Sequence, residues 1–528
     1  MGFSGNLLPQ NDMEGDIDAS SPPSRGEVQK SANRTLDLST DQTVIVDTLG
    51  RRVRVEWDPE APVTPLGQLV FFSQFLATAG LFSEFVRTCP LLYSSPNAPA
   101  KQDVLGTATL AILAGHCRYA HIAALKSDRV NPQGLGMTRV CSEDSVRLAF
   151  LDTDPEACAQ WQQQTLARIW EPVLKLPWVL DMDMTVKPIY GHQEGAQIGY
   201  NPHKPGRPSH TLHTWFVRGL RLVLDVEVRS GKEHAASHGS SRLWALWESL
   251  PKECRPWLAC GDAGYGNEGL MSECEKRQQV YLFRLRQSGR VKALIETVSK
   301  GTTTQWVKTL KGWSATESTL RLSGWTQKRR VVVLRRARNP PLAVPDPQLP
   351  ALPWKEEITT APEYEYLVLV TSLPNELLSL VDLYLQRADA ENIYDELKNQ
   401  WGWGGFMTRD LHRCQVMARF NAMVYNWWSL FVRCAEPQRP REAITSRPLL
   451  LSSVGRLSES GNQLKIVLTS THEEAGKVQR MLTQLSSFLS GLVNTAEQLS
   501  LAQRWERIWW RILTPYQTPK AALPVPSG

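Results

Sequence analysis

Cysteine is sparse in this chain and forms no metal or disulfide pattern. The nine residues, Cys89, Cys117, Cys141, Cys158, Cys254, Cys260, Cys274, Cys414 and Cys434, are odd in number, and no two stand at C-x-x-C spacing. That argues against a disulfide framework or a zinc knuckle and makes a reducing cytoplasm the expected setting. Other motifs are missing too. There is no P-loop, no G-x-S-x-G and no H-E-x-x-H, which disfavours nucleotide hydrolases, serine hydrolases and zinc proteases. His203, His210 and His213 share a loop-like stretch without an accompanying cysteine or acid at fixed spacing, so zinc is not expected there. Long apolar runs are also lacking. The most apolar stretch, residues 105–125, contains His116, Arg118 and His121. It is too polar to span a bilayer, and no membrane partner is expected. Residues 1–18 have no basic patch followed by an apolar run, so a signal peptide is not expected.

What is present is a 528-residue chain, 42% hydrophobic and 21% charged. Such a chain builds real cores and two to four domains. The formal charge of +6 suits a nucleic-acid partner without requiring one. Residues 1–43 are rich in Ser, Asp, Gly and Pro, the composition of a disordered tail. Residues 44–175 open on an alternating stretch (44–57) and continue with apolar residues at helical spacing, such as Phe71, Phe72, Phe75 and Leu76. They are read as a mainly helical N-terminal region. Between 176 and 289, strand patterns at 178–186, 220–228, 257–260 and 279–285 interleave with a helical one at 240–250, which defines an α/β core. Residues 290–372 carry β-prone segments at 302–310, 319–325, 329–334 and 364–370, with six prolines in 339–353. They read as a β-rich insertion. Residues 373–435 are helical again. The helical 436–528 region is expected to assist dimerisation, with Leu482, Leu485, Leu489 and Leu492 on a packed helix.

Three places carry chemistry. In the strand at 178–186, Asp181, Asp183 and Thr185 alternate with Leu180, Met182 and Met184 and face one side. Carboxylates in an otherwise buried strand are costly unless paired or metal-bound. The third strand ends in Gly261-Asp262-Ala-Gly-Tyr-Gly266, and α/β sheets place ligands at the carboxyl ends of their strands. In the helix after the insertion, Tyr384, Arg387, Glu391 and Lys398 fall at offsets that bring them to one face at about 100° per residue. A carboxylate among two cations and a phenol suits phosphate oxygens met through a metal, although an ordinary solvated face has the same composition. Together these give Asp, Asp and Glu on two strands and a helix. Hard oxygen donors of this kind suit Mg²⁺, one or two ions at a time.

The spacing Y-(2)-R-(3)-E-(6)-K resembles the signature helix of insertion-sequence DDE transposases. Asp183-Met-Thr185, Tyr190 to Ala196, Gly199-Tyr-Asn201, Lys204 to Ser209 and Gly261 to Tyr265 resemble one branch in particular, the insertion-sequence family thirteen-eighty. The resemblance covers roughly residues 176–430. It implies a ribonuclease-H-like catalytic core interrupted by a β-rich domain between the second Asp and the Glu. It also implies that Asp183, Asp262 and Glu391 are the catalytic, metal-binding triad, with two Mg²⁺ ions for which Mn²⁺ can substitute. Asp183 is preferred over Asp181 because the family's first Asp lies two residues before a Thr. Asp181 and Thr185 are then supporting residues around it. Tyr384, Arg387 and Lys398 would contact phosphates of the transposon's terminal inverted repeats. The reaction implied is cut-and-paste transposition through hairpin intermediates, carried out by a homodimer on double-stranded DNA in the bacterial nucleoid.

Further cations suit the same partner. Residues 319–338 hold Lys328, Arg329, Arg330, Arg335 and Arg336 around Trp325, with no acid among them, a composition that neutralises backbone and stacks bases. Trp306 and Trp313 are further candidates for stacking. Lys204 and Arg207 lie in the loop expected at 201–213. Two other readings use the same residues, a catalytically silent DNA-binding descendant and a nuclease without strand transfer. The intact triad disfavours the first, and the basic insertion with the Y-R-E-K face disfavours the second.

Overall fold

The computed structural model describes residues 43–516 apart from 94, 203, 234, 310–311, 339–362, 440 and 461–462, with the backbone alone at 235–240, 388–391, 459–460, 463 and 516. The expected tail, the proline-rich stretch and His203 lie outside the described residues. The chain divides into two units, 1–61 and 62–528. In the first, the alternating stretch forms a hairpin. Val44–Asp47 pairs antiparallel with Arg52–Val55, and Thr48 N–H donates to the Arg51 carbonyl across the turn (3.1 Å).

The second unit is built on a ten-stranded mixed sheet. At its centre runs Val179–Pro188. On one side lies antiparallel Pro208–Val217, which pairs in turn with Leu222–Ser230 and the short Gln197–Ile198. On the other side lie Leu258–Gly261 and Tyr281–Arg284, both parallel to it. The sheet continues through Tyr364–Thr371, Arg329–Ala337, Ser314–Leu320 and Val307–Lys308.

The β-strands of the segment expected as an insertion lie in this sheet. The β-rich segment does not stand apart from the core sheet but extends it, because Leu369, Val370 and Thr371 pair with Arg284, Phe283 and Leu282. The strand expected at 302–310 shrinks to two residues. The one expected at 319–325 lies earlier, at Ser314–Leu320, because the chain turns through Gly324 at φ 84°. The loop expected at 201–213 is corrected as well. Its second half opens the strand Pro208–Val217, which is buried from Ser209 onward. Some of the polar groups there find internal partners. His210 Nε2 meets the Glu194 carbonyl (2.8 Å), and Thr211 Oγ1 donates to the Ser230 carbonyl (3.2 Å), which offsets part of the cost of burial, while Ser209 Oγ and His210 Nδ1 are buried without a hydrogen bond among the described residues.

Alternation along the strands divides the apolar residues between two cores. Cys260, Leu282, Val332, Leu334 and Leu369 face the helix Leu377–Leu385, through Leu380, Val381, Leu383 and Tyr384. Ala259, Tyr281, Phe283, Val331 and Val333 join the larger core. Within that core the helices of the expected N- and C-terminal regions interleave. Phe72 and Phe75 of Leu69–Ala79 pack on Phe431 of Leu411–Ala435, and Phe75 also meets Trp505 of Leu501–Leu513. Leu482, Leu485, Leu489 and Leu492 of Ala475–Val493 are buried within this chain. The strand Val63–Thr64 pairs with Val454–Ser460, so the first and last parts of this unit share a sheet as well as a core.

Candidate active site

Register places the two strand carboxylates side by side. Met182 pairs with Gly261, and Gly261 with Phe283, across three parallel strands. The residues that follow, Asp183 within its strand, Asp262 just past the end of Leu258–Gly261 and Arg284 at the end of Tyr281–Arg284, therefore form a row. Asp262 is partly exposed, and its Oδ1 accepts from the Gly264 N–H (2.9 Å). This side-chain turn releases the chain from the strand, and Asn267 then caps the helix Glu268–Lys276 through the Leu270 N–H (3.1 Å). Gly266 is obligatory for packing, since a Cβ there would lie 2.3 Å from the Arg284 carbonyl oxygen.

Asp183 accepts from the Met184 N–H (2.7 Å). Burial pushes its carboxyl up to about 6, against the pull of Arg387 and with a further push from Asp262. Two carboxylates thus share one desolvated corner, and a neighbouring cation would relieve the cost. Tyr265 and Tyr394 crowd the same corner, and burial raises both phenols well above their ordinary value.

Asp181, two positions before Asp183 on the same strand, is bound by two arginines. Arg218 grips it with two bonds (2.6 and 2.7 Å) and also donates to the Leu383 carbonyl. Arg387 adds a third bond to Asp181 (3.2 Å) and reaches the Met182 carbonyl (3.3 Å) and Asp183 Oδ2 (3.4 Å). Asp181 is 2% exposed and anchors two guanidiniums beneath the row.

That anchor corrects the reading of the signature helix. Leu377–Leu385 and Ala388–Gln400 are two helices, broken at Gln386 and Arg387, so Tyr384 and Lys398 do not share the face of one continuous helix. The Arg387 N–H bonds to the Tyr384 carbonyl three residues back (2.9 Å), a tightened turn that aims the guanidinium at Asp181. Tyr384 and Arg387 are nearly buried. Lys398 is exposed, and although burial lowers its ammonium, Asp183 and then Asp395 act to raise it. Glu391 belongs to the second helix, while its side chain lies outside the described residues. Among the described residues no group of three His, Cys, Asp or Glu could hold a metal. Asp183 and Asp262 supply two carboxylates. Thr185 is buried two positions along the same face, opposite Leu212.

The basic β-segment divides. Arg329 is 4% exposed and bonds to Glu268 and Glu275 (2.5 and 2.6 Å), with its guanidinium over the Trp325 ring. Trp325 is itself buried. Both were expected to touch DNA, and the packing of the Glu268–Lys276 helix on this strand assigns them to the core instead. Arg330 pairs with Glu317 and donates to the Leu373 and Asn375 carbonyls. Arg335 lies over Trp306, and Arg336 pairs with Glu365 over Trp313. Lys328 is exposed, with no ion pair among the described residues. Lys204 and Arg207 both flank the exposed ring of Tyr190, a stacking candidate the sequence reading did not single out.

Paired carboxylates of hard oxygens, partly buried and flanked by cations, are equipped to bind a divalent metal and phosphate together. Residues 69–489 match the family model described as transposase DDE domain group 1, and the chain belongs to that family. Its activity class is therefore that of DDE transposases, which are polynucleotidyl transferases. No curated protein matches the sequence. A solved piggyBac transposase synaptic complex with hairpin DNA aligns over 87% of this chain and 89% of that chain, at 12% identity and TM-score 0.37.

Proposed function

We propose that this protein binds the terminal inverted repeats of its own insertion sequence and cuts and rejoins their strands at Asp183, Asp262 and Glu391. The observation that carries the reading is the register of adjacent parallel strands that sets Asp183 beside Asp262. The strand order around them, one antiparallel pair on one flank and two parallel strands on the other, supports a ribonuclease-H-like core. The partners are double-stranded transposon ends and target DNA, held by a homodimer in the bacterial cytoplasm.

The donor set fits a hard divalent cation. Asp183 is a buried carboxyl held up near 6 by burial and by Asp262 despite Arg387, and such a group gains from a cation. Mg²⁺, with Mn²⁺ as its substitute, would be held by Asp183 and Asp262 with Glu391 as third ligand. Bound there, one or two ions supply Lewis-acid polarisation of phosphoryl oxygens. The chain's own groups do the rest. Asp181 fixes Arg218 and Arg387, and through them the helix junction that carries Glu391. Lys398 and the Tyr190, Lys204 and Arg207 cluster offer contacts to the DNA backbone and to an unstacked base.

The test is incubation of an end-labelled duplex of the element's own terminus with the full chain and Mg²⁺. Nicking that frees a 3′-hydroxyl, followed by a covalently closed hairpin, is the expected product series. Nicks that accumulate without joining would favour the nuclease reading. Tight binding with no cleavage would favour a silent DNA-binding descendant.

A further inference from the structure

Among the cations of the Y-R-E-K pattern, Arg387 is already committed. Its guanidinium bonds to Asp181, Asp183 and the Met182 carbonyl, and the residue is 9% exposed. The row across the parallel strands contains another cation. Arg284 follows Phe283, the partner of Gly261, so it stands next to Asp262 on the face that carries Asp183. It is partly exposed and has no ion pair among the described residues. It also lies close enough to Tyr384 and Asp262 that Arg284 lowers and Asp262 raises the Tyr384 phenol, after burial and Arg387.

The backbone beneath Arg284 is unusually well held. Arg284 pairs with Leu369 in the neighbouring strand, the Leu285 N–H donates to the Val368 carbonyl (2.7 Å), and Gly266 packs against its carbonyl oxygen. Such a base fixes where the side chain starts. The guanidinium fork matches two oxygens of one phosphate, which a lysine does not reproduce.

We propose that Arg284 is the phosphate-binding cation of this site, seating a DNA phosphodiester beside Asp262 while Arg387 serves as a positioning residue for Asp181 and Asp183. The inference rests on the transposase reading above. It makes Arg284 a residue that touches the substrate, outside the signature pattern itself.

The test is the salt dependence of binding of the full chain to its labelled transposon end, read by anisotropy between about 50 and 200 mM KCl, where each phosphate contact contributes about 0.9 to the slope of log K against log salt. Arg284→Met is expected to make the slope shallower by about 0.9 and to slow cleavage. Arg284→Lys should restore the slope while leaving cleavage below wild type. Arg387→Lys should leave the slope unchanged. An unchanged slope in folded Arg284→Met, checked by near-ultraviolet circular dichroism, would overturn the inference. If Arg284→Met does not fold, an unchanged slope in Arg284→Gln overturns it equally. Wild-type cleavage alongside an unchanged variant slope defeats this inference alone, whereas wild type that neither binds in a salt-dependent way nor cleaves defeats the functional reading with it.

Discussion

Asp183→Asn, Asp262→Asn and Glu391→Gln are each expected to reduce Mg²⁺-dependent cleavage of a transposon end by about 10²–10³-fold, the scale lost when one preorganised electrostatic group is removed from an active site. Each change keeps the shape of the side chain and removes one anionic oxygen donor. The local folds have reason to survive. The amide oxygen in Asp262→Asn still accepts from the Gly264 N–H, and the one in Asp183→Asn still accepts from the Met184 N–H. DNA binding should stay within a few-fold, since the backbone contacts proposed here come from other residues. The measurement is initial-rate cleavage beside anisotropy on the same duplex. Full cleavage by Asp183→Asn together with none by Asp181→Asn would move the first ligand to Asp181, and the arginine anchor described above would then be the wrong account of that residue.

The two aspartates of the central strand are expected to move stability in opposite directions. Asp181 is 2% exposed and carries the charge that balances Arg218 and Arg387. Asp181→Asn leaves the buried Arg218 without an anion and Arg387 with Asp183 alone, a change that costs about 3–5 kcal/mol. Asp183 is in the reverse position. Burial holds its folded-state carboxyl at about 6, against 3.8 as the ordinary value, despite Arg387. Between those two values the folded chain keeps a proton that the unfolded chain has lost. The penalty from this group is therefore absent below pH 3.8, grows as pH rises, and is complete above about pH 6. There it amounts to about 3 kcal/mol at 1.36 kcal/mol per tenfold step. Asp183→Asn in metal-free buffer at pH 8 should accordingly raise the urea midpoint and flatten this group's share of the pH dependence. Asp181→Asn should lower the midpoint. Two variants that both destabilise by similar amounts would contradict the assignment of different roles.

The contrast between these neighbours marks how far the sequence is legible. Alternation in 178–186 and the glycine-rich end of the third strand are local patterns that point to Asp181, Asp183 and Asp262, and the family resemblance is what favours Asp183 over Asp181. That Met182 pairs with Gly261, and so sets the two carboxylates side by side, is a fact of register between distant segments. The helix at 384–398 reads as continuous because a wheel assumes no break. At the break, Arg387 bonds to Asp181, more than 200 positions away, a tertiary contact that no wheel can show. Burial was hidden for a similar reason. Arg329 and Trp325 have the composition of a nucleic-acid surface, and only the Glu268–Lys276 helix, with Glu268 and Glu275 aimed at Arg329, turns them inward. The strand Pro208–Val217 reads as a loop because His210, Thr211, His213 and Thr214 are polar, yet all four are buried. A second clamp was missed on the same grounds. Asp225 is held by Arg419 (2.8 Å) and Arg242 (2.9 Å), which ties Leu222–Ser230 to two helices, and no spacing rule links these residues.

The central claim is that Asp183 and Asp262 together hold a divalent cation, and thermal unfolding of the DNA-free protein across a Mg²⁺ series tests it most directly. Ligand binding to the folded state alone adds about 2.7 kcal/mol at a hundredfold excess over Kd. The wild-type midpoint should rise with Mg²⁺ at pH 8, while Asp183→Asn and Asp262→Asn should start from their own metal-free midpoints and stay there. A wild-type midpoint indifferent to Mg²⁺ and Mn²⁺, or an equal rise in both variants, would contradict it.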